Sequence, residues 1–331
     1  MAYTTIDDPS AYFKIQLYTG NSSTNAQTFA DTDTDMQPDM VYIKQRSVAG
    51  HETGIFDAVR GTSKDLNGNS NSAEGTQSGL TAFGSDGFTL GSANDFNYNN
   101  YTYVAWCWKE SATSGFDIVS YTGNGSARTI SHSTGGTNPL GLILCKSRAT
   151  TDNWATYHNA LGGDFNMTLD TNEAKLDTNT PWNDTDATAS VFSVLSSGRT
   201  NANTQTYIAY CWAPVQGFSN FGSFVGNGNA DGVFVYTGFK PAFVMIKRTD
   251  AATNWYMFDN KRGGYNGGDY WLYANTTNSE NAAGGMIDFV SNGFKIKNSE
   301  GDINNSGSTM VYMAFAEAPF VNSNGVPCNA R

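Results

Sequence analysis

YVAWCWKE at 103–110 and YIAYCWAP at 207–214 decide how this chain is read. Each runs Tyr, aliphatic, Ala, aromatic, Cys, Trp. Cys107 and Cys211 stand 104 residues apart. Such a pair is a disulfide, a pair of metal ligands, or one position of a fold written more than once.

Internal similarity settles the choice. LYTGN at 17–21 returns as SYTGNG at 120–125 and SFVGNG at 223–228. QPDMVYIKQR at 37–46 returns as NPLGLILCKSR at 138–148 and KPAFVMIKR at 240–248. TGIFDAVRG at 53–61 matches WATYHNALG at 154–162 and WYMFDNKRG at 255–263. SDGFTLG at 85–91 matches SNGFKIK at 291–297, with SVFSVL at 190–195 between them. The last block is YVAWCWKE, YIAYCWAP and YMAFAEAP at 312–319. Gly20, Gly123 and Gly226 are 103 apart at each step. Five blocks in one order, three times, predict three units of domain size, with bounds 1–111, 112–216 and 217–331. On this alignment Ala316 takes the cysteine position in the third copy. A shared disulfide or metal role would not tolerate Ala, so Cys107 and Cys211 read as small residues on packed strands. Cys145 reads as core, and Cys328 as exposed in a polar tail.

Composition points to strands. The 331 residues include 20 Phe, 17 Tyr, 7 Trp and 35 Gly, with only 15% charged. Aromatic and β-branched residues suit pleated strands, and Gly, Asn and Ser suit the turns between them. MVYIK and FVMIK read as buried strands ending in a solvent-seeking Lys. In YVAWCWK, Tyr103, Ala105 and Cys107 share one face, and Val104, Trp106 and Trp108 share the other. Both faces carry apolar bulk, so a central strand covered on both sides is expected. The fold class expected is all-β: three tandem antiparallel β-sandwiches, of jelly-roll or lectin-like topology, with an immunoglobulin-like topology left open. The short links ESATSG and VQGFSNFG predict a fixed array.

Charge excludes some functions. The net charge is −11, and the 19 basic residues form no cluster, so no nucleic-acid partner is expected. No apolar run approaches the roughly 18 residues of a membrane span, so no membrane insertion is expected. MAYTTIDDPSAYF lacks the basic start and apolar core of a secretory signal, which predicts folding in a cytoplasm.

No motif marks an enzyme. G-x-S-x-G, H-E-x-x-H and P-loop patterns are absent from the sequence. His158 aligns with Asp57 and Asp259 and reads as a polar turn residue rather than a lone base. His51 and His132 have no counterparts. DTDTD at 31–35 and DLNGNSN at 65–71 depart from the EF-hand pattern, so calcium stays a minor alternative to solvated loops, and no cofactor is expected. D-x-x-R-G recurs as Asp57 with Arg60 and Asp259 with Arg262. It reads either as a polar binding edge or as a turn held by an exposed ion pair. Trp154 and Trp255 precede that block. They read either as sugar-stacking platforms or as sandwich core. Trp154, Trp255, Asp57 and Asp259 are thus the candidate binding residues. Repetition argues for a scaffold or a multivalent binder.

YTGNG, KPAFVMIKR, NWATYHNALG, YIAYCWAPVQGFSNFGSFVGNGNADG and FKIKNSEGDINNSGSTMVYMAFAEAPF resemble a family of uncharacterised proteins of marine bacteriophages, and MAYTTIDDPSAYF and PFVNSNGVPCNAR resemble its ends. The resemblance covers essentially the whole chain. It implies a virion-associated structural protein of the tail-fibre, head-fibre or decoration kind, made in the host cytoplasm, and it transfers no catalytic or binding residue. Partners expected on that basis are other virion proteins, further copies in a homo-oligomer and a host surface glycan. A carbohydrate-binding receptor module is the alternative function, and a polysaccharide depolymerase the third. The tail VNSNGVPCNAR reads as a frayed end rather than a docking peptide.

Overall fold

The computed structural model describes residues 3–30, 34–263 and 268–328. It is built from antiparallel strands, with two four-residue α-helices, Asn94–Asn97 and Gly301–Asn304, among the described residues. Three large sheets share one strand order. The first runs Phe13–Thr19, Thr102–Trp108, Met40–Gln45, Gly54–Asp57, and continues into two further strands. The second runs Phe116–Thr122, Thr206–Trp212, Leu142–Ser147, Ala155–His158. The third runs Ser219–Val225, Thr309–Pro319, Phe239–Arg248, Tyr256–Asp259, Leu272–Tyr273. In each, the last strand of the sequence block inserts between its first and second long strands.

Strand alternation explains what covers each face. Tyr103, Ala105 and Cys107 pack with Phe88 and Leu90 of a small three-stranded sheet. Tyr207, Ala209 and Cys211 pack likewise with Ile130, Phe192 and Val194. The alternate residues Val104, Trp106, Trp108, Ile208, Tyr210 and Trp212 face a single central cluster that also takes Phe243, Met245, Met313 and Phe315 of the third sheet. The indole of Trp108 meets Trp212 at 6.0 Å, Phe243 at 6.1 Å and Phe315 at 5.6 Å. Each large sheet is therefore one half of a sandwich and one wall of a shared core. The three sheets close around common ground instead of standing in a row.

Register corrects the alignment of the third copy. Tyr18 pairs with Tyr103, Tyr121 with Tyr207, and Phe224 with Met310. Lys44, Lys146 and Lys247 pair with Val104, Ile208 and Val311. Met310, not Tyr312, is thus the counterpart of Tyr103, and Ala314, not Ala316, that of Cys107 and Cys211. The two-residue slip arises because YMAFAEAP imitates the block's composition further along the same strand. The inference drawn from Ala survives it, and all four cysteines are free thiols.

Two further expectations fail. The strand-ending lysines are not solvent-seeking: Lys44, Lys146 and Lys247 are all buried. The tail is not frayed through Cys328. Cys328 N–H donates to Phe320 O at 3.0 Å, Asn322 N–H donates to Val326 O at 2.9 Å, and Ser323 N–H donates to the Asp7 carboxylate at 2.7 Å.

Candidate functional site

The four candidate binding residues all lie in the seams between the large sheets, with no face open to a ligand. Trp154 is fully buried and Trp255 2% exposed. Trp154 Nε1–H donates to Asn67 O at 2.9 Å, and Trp255 Nε1–H donates to Thr168 O at 3.0 Å. Each indole thus crosses from its own block to the preceding one. The sugar-stacking reading is corrected here: a ring without exposed area cannot stack on a sugar. Thr53 holds the same place in the first block. Its N–H donates to Asn69 Oδ1, as those of Trp154 and Trp255 donate to Asp170 Oδ1 and Asn275 Oδ1.

The D-x-x-R pairs are buried as well, which corrects the exposed ion pair. Both side chains of each pair are 0% exposed. Arg60 Nε–H donates to Asp57 Oδ2 at 2.5 Å, and Arg262 Nε–H to Asp259 Oδ2 at 2.6 Å. Each carboxylate takes a further donor from another sheet. Tyr210 O–H donates to Asp57 Oδ2 at 2.6 Å, and Trp106 Nε1–H to Asp259 Oδ2 at 3.0 Å. Glu74 then links Arg60 to Arg148 of the second block, and Glu280 links Arg262 to Arg46 of the first.

The third seam lacks these charges. Register places Met313 where Trp106 and Tyr210 stand, and a thioether has no hydrogen to donate. Opposite it the second block has His158 and Leu161 in place of Asp and Arg. His158 Nε2 bonds to Tyr312 O at 3.0 Å, while its Nδ1 accepts from Ala160 N–H at 3.2 Å. Nε2 therefore carries the proton of a neutral ring. Burial pushes His158 down to about 4, with the Tyr312 carbonyl opposing the shift. Lys175 stands in the place of the two glutamates: its N–H donates to Thr249 O, as Glu74 N–H does to Arg148 O and Glu280 N–H to Arg46 O. The odd histidine belongs to a seam that offers an ionised carboxylate neither an arginine nor a cross-sheet donor like Tyr210 or Trp106.

The lysines stitch the same seams. Lys44 Nζ donates to Thr276 O at 2.5 Å, and Lys146 Nζ to Asn71 O at 3.3 Å, each in another block. Lys247 Nζ stays local, on Arg248 O, Ala251 O and Thr253 Oγ1. Burial holds Lys44 down to about 7 and Lys146 and Lys247 down to about 8.

A loop clamp was missed in the sequence. Asn97, Asn201 and Asn304 are fully buried. Each accepts through Oδ1 from the N–H of Asn21, Asn124 or Asn227, and donates through Nδ2 to Ser23, Ser126 or Asn229 O. The signal was available: the three asparagines are 104 and 103 residues apart. The preceding Gly20, Gly123 and Gly226 are required by close approach. A Cβ there would lie 2.2, 2.1 and 2.4 Å from the carbonyl oxygens of Tyr98, Ala202 and Asn305.

One carboxyl cluster lies where the first block joins the second. Burial, then a hydrogen bond with Asp117, pushes Glu110 up to about 7. Asp39 Oδ2 accepts from Glu110 N–H at 2.8 Å. Among the described residues no group of three or more His, Cys, Asp or Glu side chains is placed to hold a metal ion. Of DTDTD, residues 31–33 lie outside the described residues. No described helix is long and apolar enough to cross a membrane.

One open cleft has a volume of about 520 Å³. Residues 3–5, both inter-block links and the loop 134–138 of the second block enclose it.

The architecture is thus that of an all-β protein whose recurring polar residues serve its internal seams. The chain belongs to a family described as a domain of unknown function, DUF7483, whose model matches residues 8–319. No curated protein matches it. Among solved structures, the STIV MCP shares 8% identity over 60% of this chain and 85% of its own, at a TM-score of 0.17, a level that carries no structural argument.

Proposed function

We propose that this chain is a non-enzymatic structural protein of a bacteriophage virion exterior, of the fibre or decoration kind, located on the particle and working as a homo-oligomer beside other virion proteins. One observation carries the reading. The side chains that recur from block to block, Asp57 and Asp259, Arg60 and Arg262, the three lysines and the three asparagines, are spent on holding sheets and loops together. Repetition here produces one rigid body rather than a row of ligand sites. A body exposed outside a cell needs resistance to unfolding more than it needs chemistry. The marine-phage resemblance of the sequence supplies the location.

Quantitative mass spectrometry of purified particles, with binding of the recombinant chain to particles stripped of peripheral proteins, tests the proposal. A fixed copy number per particle and saturable rebinding are expected. Absence from particles overturns it. A second reading, recognition of a host surface glycan, is favoured by one feature: the third block alone exposes large aromatic rings on its small sheet.

A further inference from the structure

Three of the small sheets, one in each block, are equivalent by register, and their outward faces differ. Gln27, Ile130 and Val235 pair with Phe88, Phe192 and Phe294. The residues flanking them on the outer face are Ala26 and Thr28 in the first block, Thr129 and Ser131 in the second, and Phe234 and Tyr236 in the third. Phe234 is 46% exposed and Tyr236 54%. The other two blocks fold with small residues at these places, so the fold does not require the rings.

Tyr236 connects with the open cleft through Tyr3. Tyr3 lines it, and Tyr3 O–H lies 3.2 Å from the Tyr236 hydroxyl and donates to Gly238 O at 2.9 Å. Among the described residues, none of the 15 that line it is Asp, Glu, Lys, Arg or His. Polar groups come instead from exposed side chains such as Thr113, Thr137, Asn138 and Gln216. A phosphate or charged peptide would enter this cleft without a counter-ion. A polyhydroxylated neutral molecule matches hydroxyls and amides that both donate and accept. Aromatic rings beside it offer flat apolar faces to sugar C–H groups. The volume falls in the range of small-ligand sites, about 300–1,000 Å³.

We infer that this cleft, with Tyr3 on its wall and Tyr236 hydrogen-bonded to Tyr3, binds a neutral oligosaccharide that extends onto the outer face of Phe234–Tyr236. The inference deepens the second reading above and does not need the virion location, since it concerns the isolated chain.

Native affinity electrophoresis of the full chain through gels containing dextran, laminarin, yeast mannan or alginate tests it. Retardation in at least one of the three neutral polymers is expected. F234T/Y236S gives the third block the residues of the second, so it should melt with the wild type yet bind at least 10-fold more weakly. Q216A should weaken binding from the cleft side. Free passage of the wild type through all four gels overturns the inference. So does retardation in alginate alone, or retardation in a neutral polymer that F234T/Y236S leaves unchanged. A negative result here leaves the particle copy number, and the structural reading, untouched.

Discussion

The Tyr210 hydroxyl and the Asp57 carboxylate meet at 2.6 Å across a seam, 153 residues apart. Trp106 and Asp259 make the matching contact, also 153 residues apart. One sheet's central strand thus supplies the donor for another sheet's buried ion pair. Asp57→Ala should cost about 3–5 kcal/mol, because Arg60 is left charged and buried. Tyr210→Phe should cost about 1.5–3 kcal/mol, the range of a hydrogen bond to a charged group. Asp57→Ala with Arg60→Leu should cost less than Asp57→Ala alone. Urea unfolding followed by tryptophan fluorescence and circular dichroism gives the numbers. The two probes should coincide in one transition, since all three sheets share a core. A cost below about 0.5 kcal/mol for Asp57→Ala, in the range of ordinary surface substitutions, would remove the seam from the account.

The seam of His158 makes the converse prediction. His158→Asp puts a carboxylate opposite Met313, which has no donor for it, and should be more destabilising than His158→Asn. Adding Leu161→Arg rebuilds the intra-block pair and should recover part of the loss. Acid provides an independent check. The folded-state value of His158, about 4, lies below its ordinary 6.5. Its contribution is therefore full above pH 6.5 and is lost as pH falls through 4. The shift corresponds to on the order of 3 kcal/mol. The stability–pH curve of His158→Asn should be flatter between pH 6.5 and 4. Curves that run parallel would show that the ring is not held neutral.

Much of this was legible in the chain, and the failures have physical causes. The covered central strand followed from two-residue alternation in YVAWCWK, and burial of both faces bears it out. Burial of Asp57, Arg60 and the lysines was not legible, because the sheets that cover them, and donors such as Tyr210 on Asp57, come from other blocks. Tyr210 and Glu74 are 153 and 17 residues from Asp57, at offsets no local pattern encodes. The third block's register was misread because Ala and aromatic residues recur along one strand. Its pairing with Ser219–Val225 on one side and Phe239–Arg248 on the other fixes the position.

That pairing predicts a compensating exchange. Gln16 stands opposite Ala105 and Val119 opposite Ala209, but Gly222 stands opposite Tyr312. A Cβ on Gly222 would lie 2.8 Å from the Tyr312 hydroxyl oxygen. Gly222→Val should therefore destabilise by about 1–3 kcal/mol, as overpacking does. Gly222→Val with Tyr312→Ala restores the small–large arrangement of the second block and should be more stable than either single variant. A thermal-melt cycle over the four proteins measures the coupling. Additive effects would refute the assigned register.

The junction of the first two blocks should weaken at alkaline pH. Glu110 is held up, to about 7, by burial first and by its hydrogen bond with Asp117 second, with the Asp39 carboxylate adding to the shift. Its folded-state value thus exceeds the ordinary 4.5. The stability it confers is full below pH 4.5 and is lost as pH rises through 7. Glu110→Gln keeps a donor toward Asp117 and removes the titration. Between pH 5 and 8 the wild type should lose thermal stability relative to E110Q, with the steepest change between about pH 5 and 6.5, midway between the unfolded and folded values, and little further loss above pH 7. Lys44 does not share that window: burial holds it down, to about 7, from 10.5, so its contribution grows above pH 7 as Glu110's has been lost. A wild-type curve that rises from pH 5 to 7 relative to E110Q would contradict a Glu110 carboxyl held up by its burial.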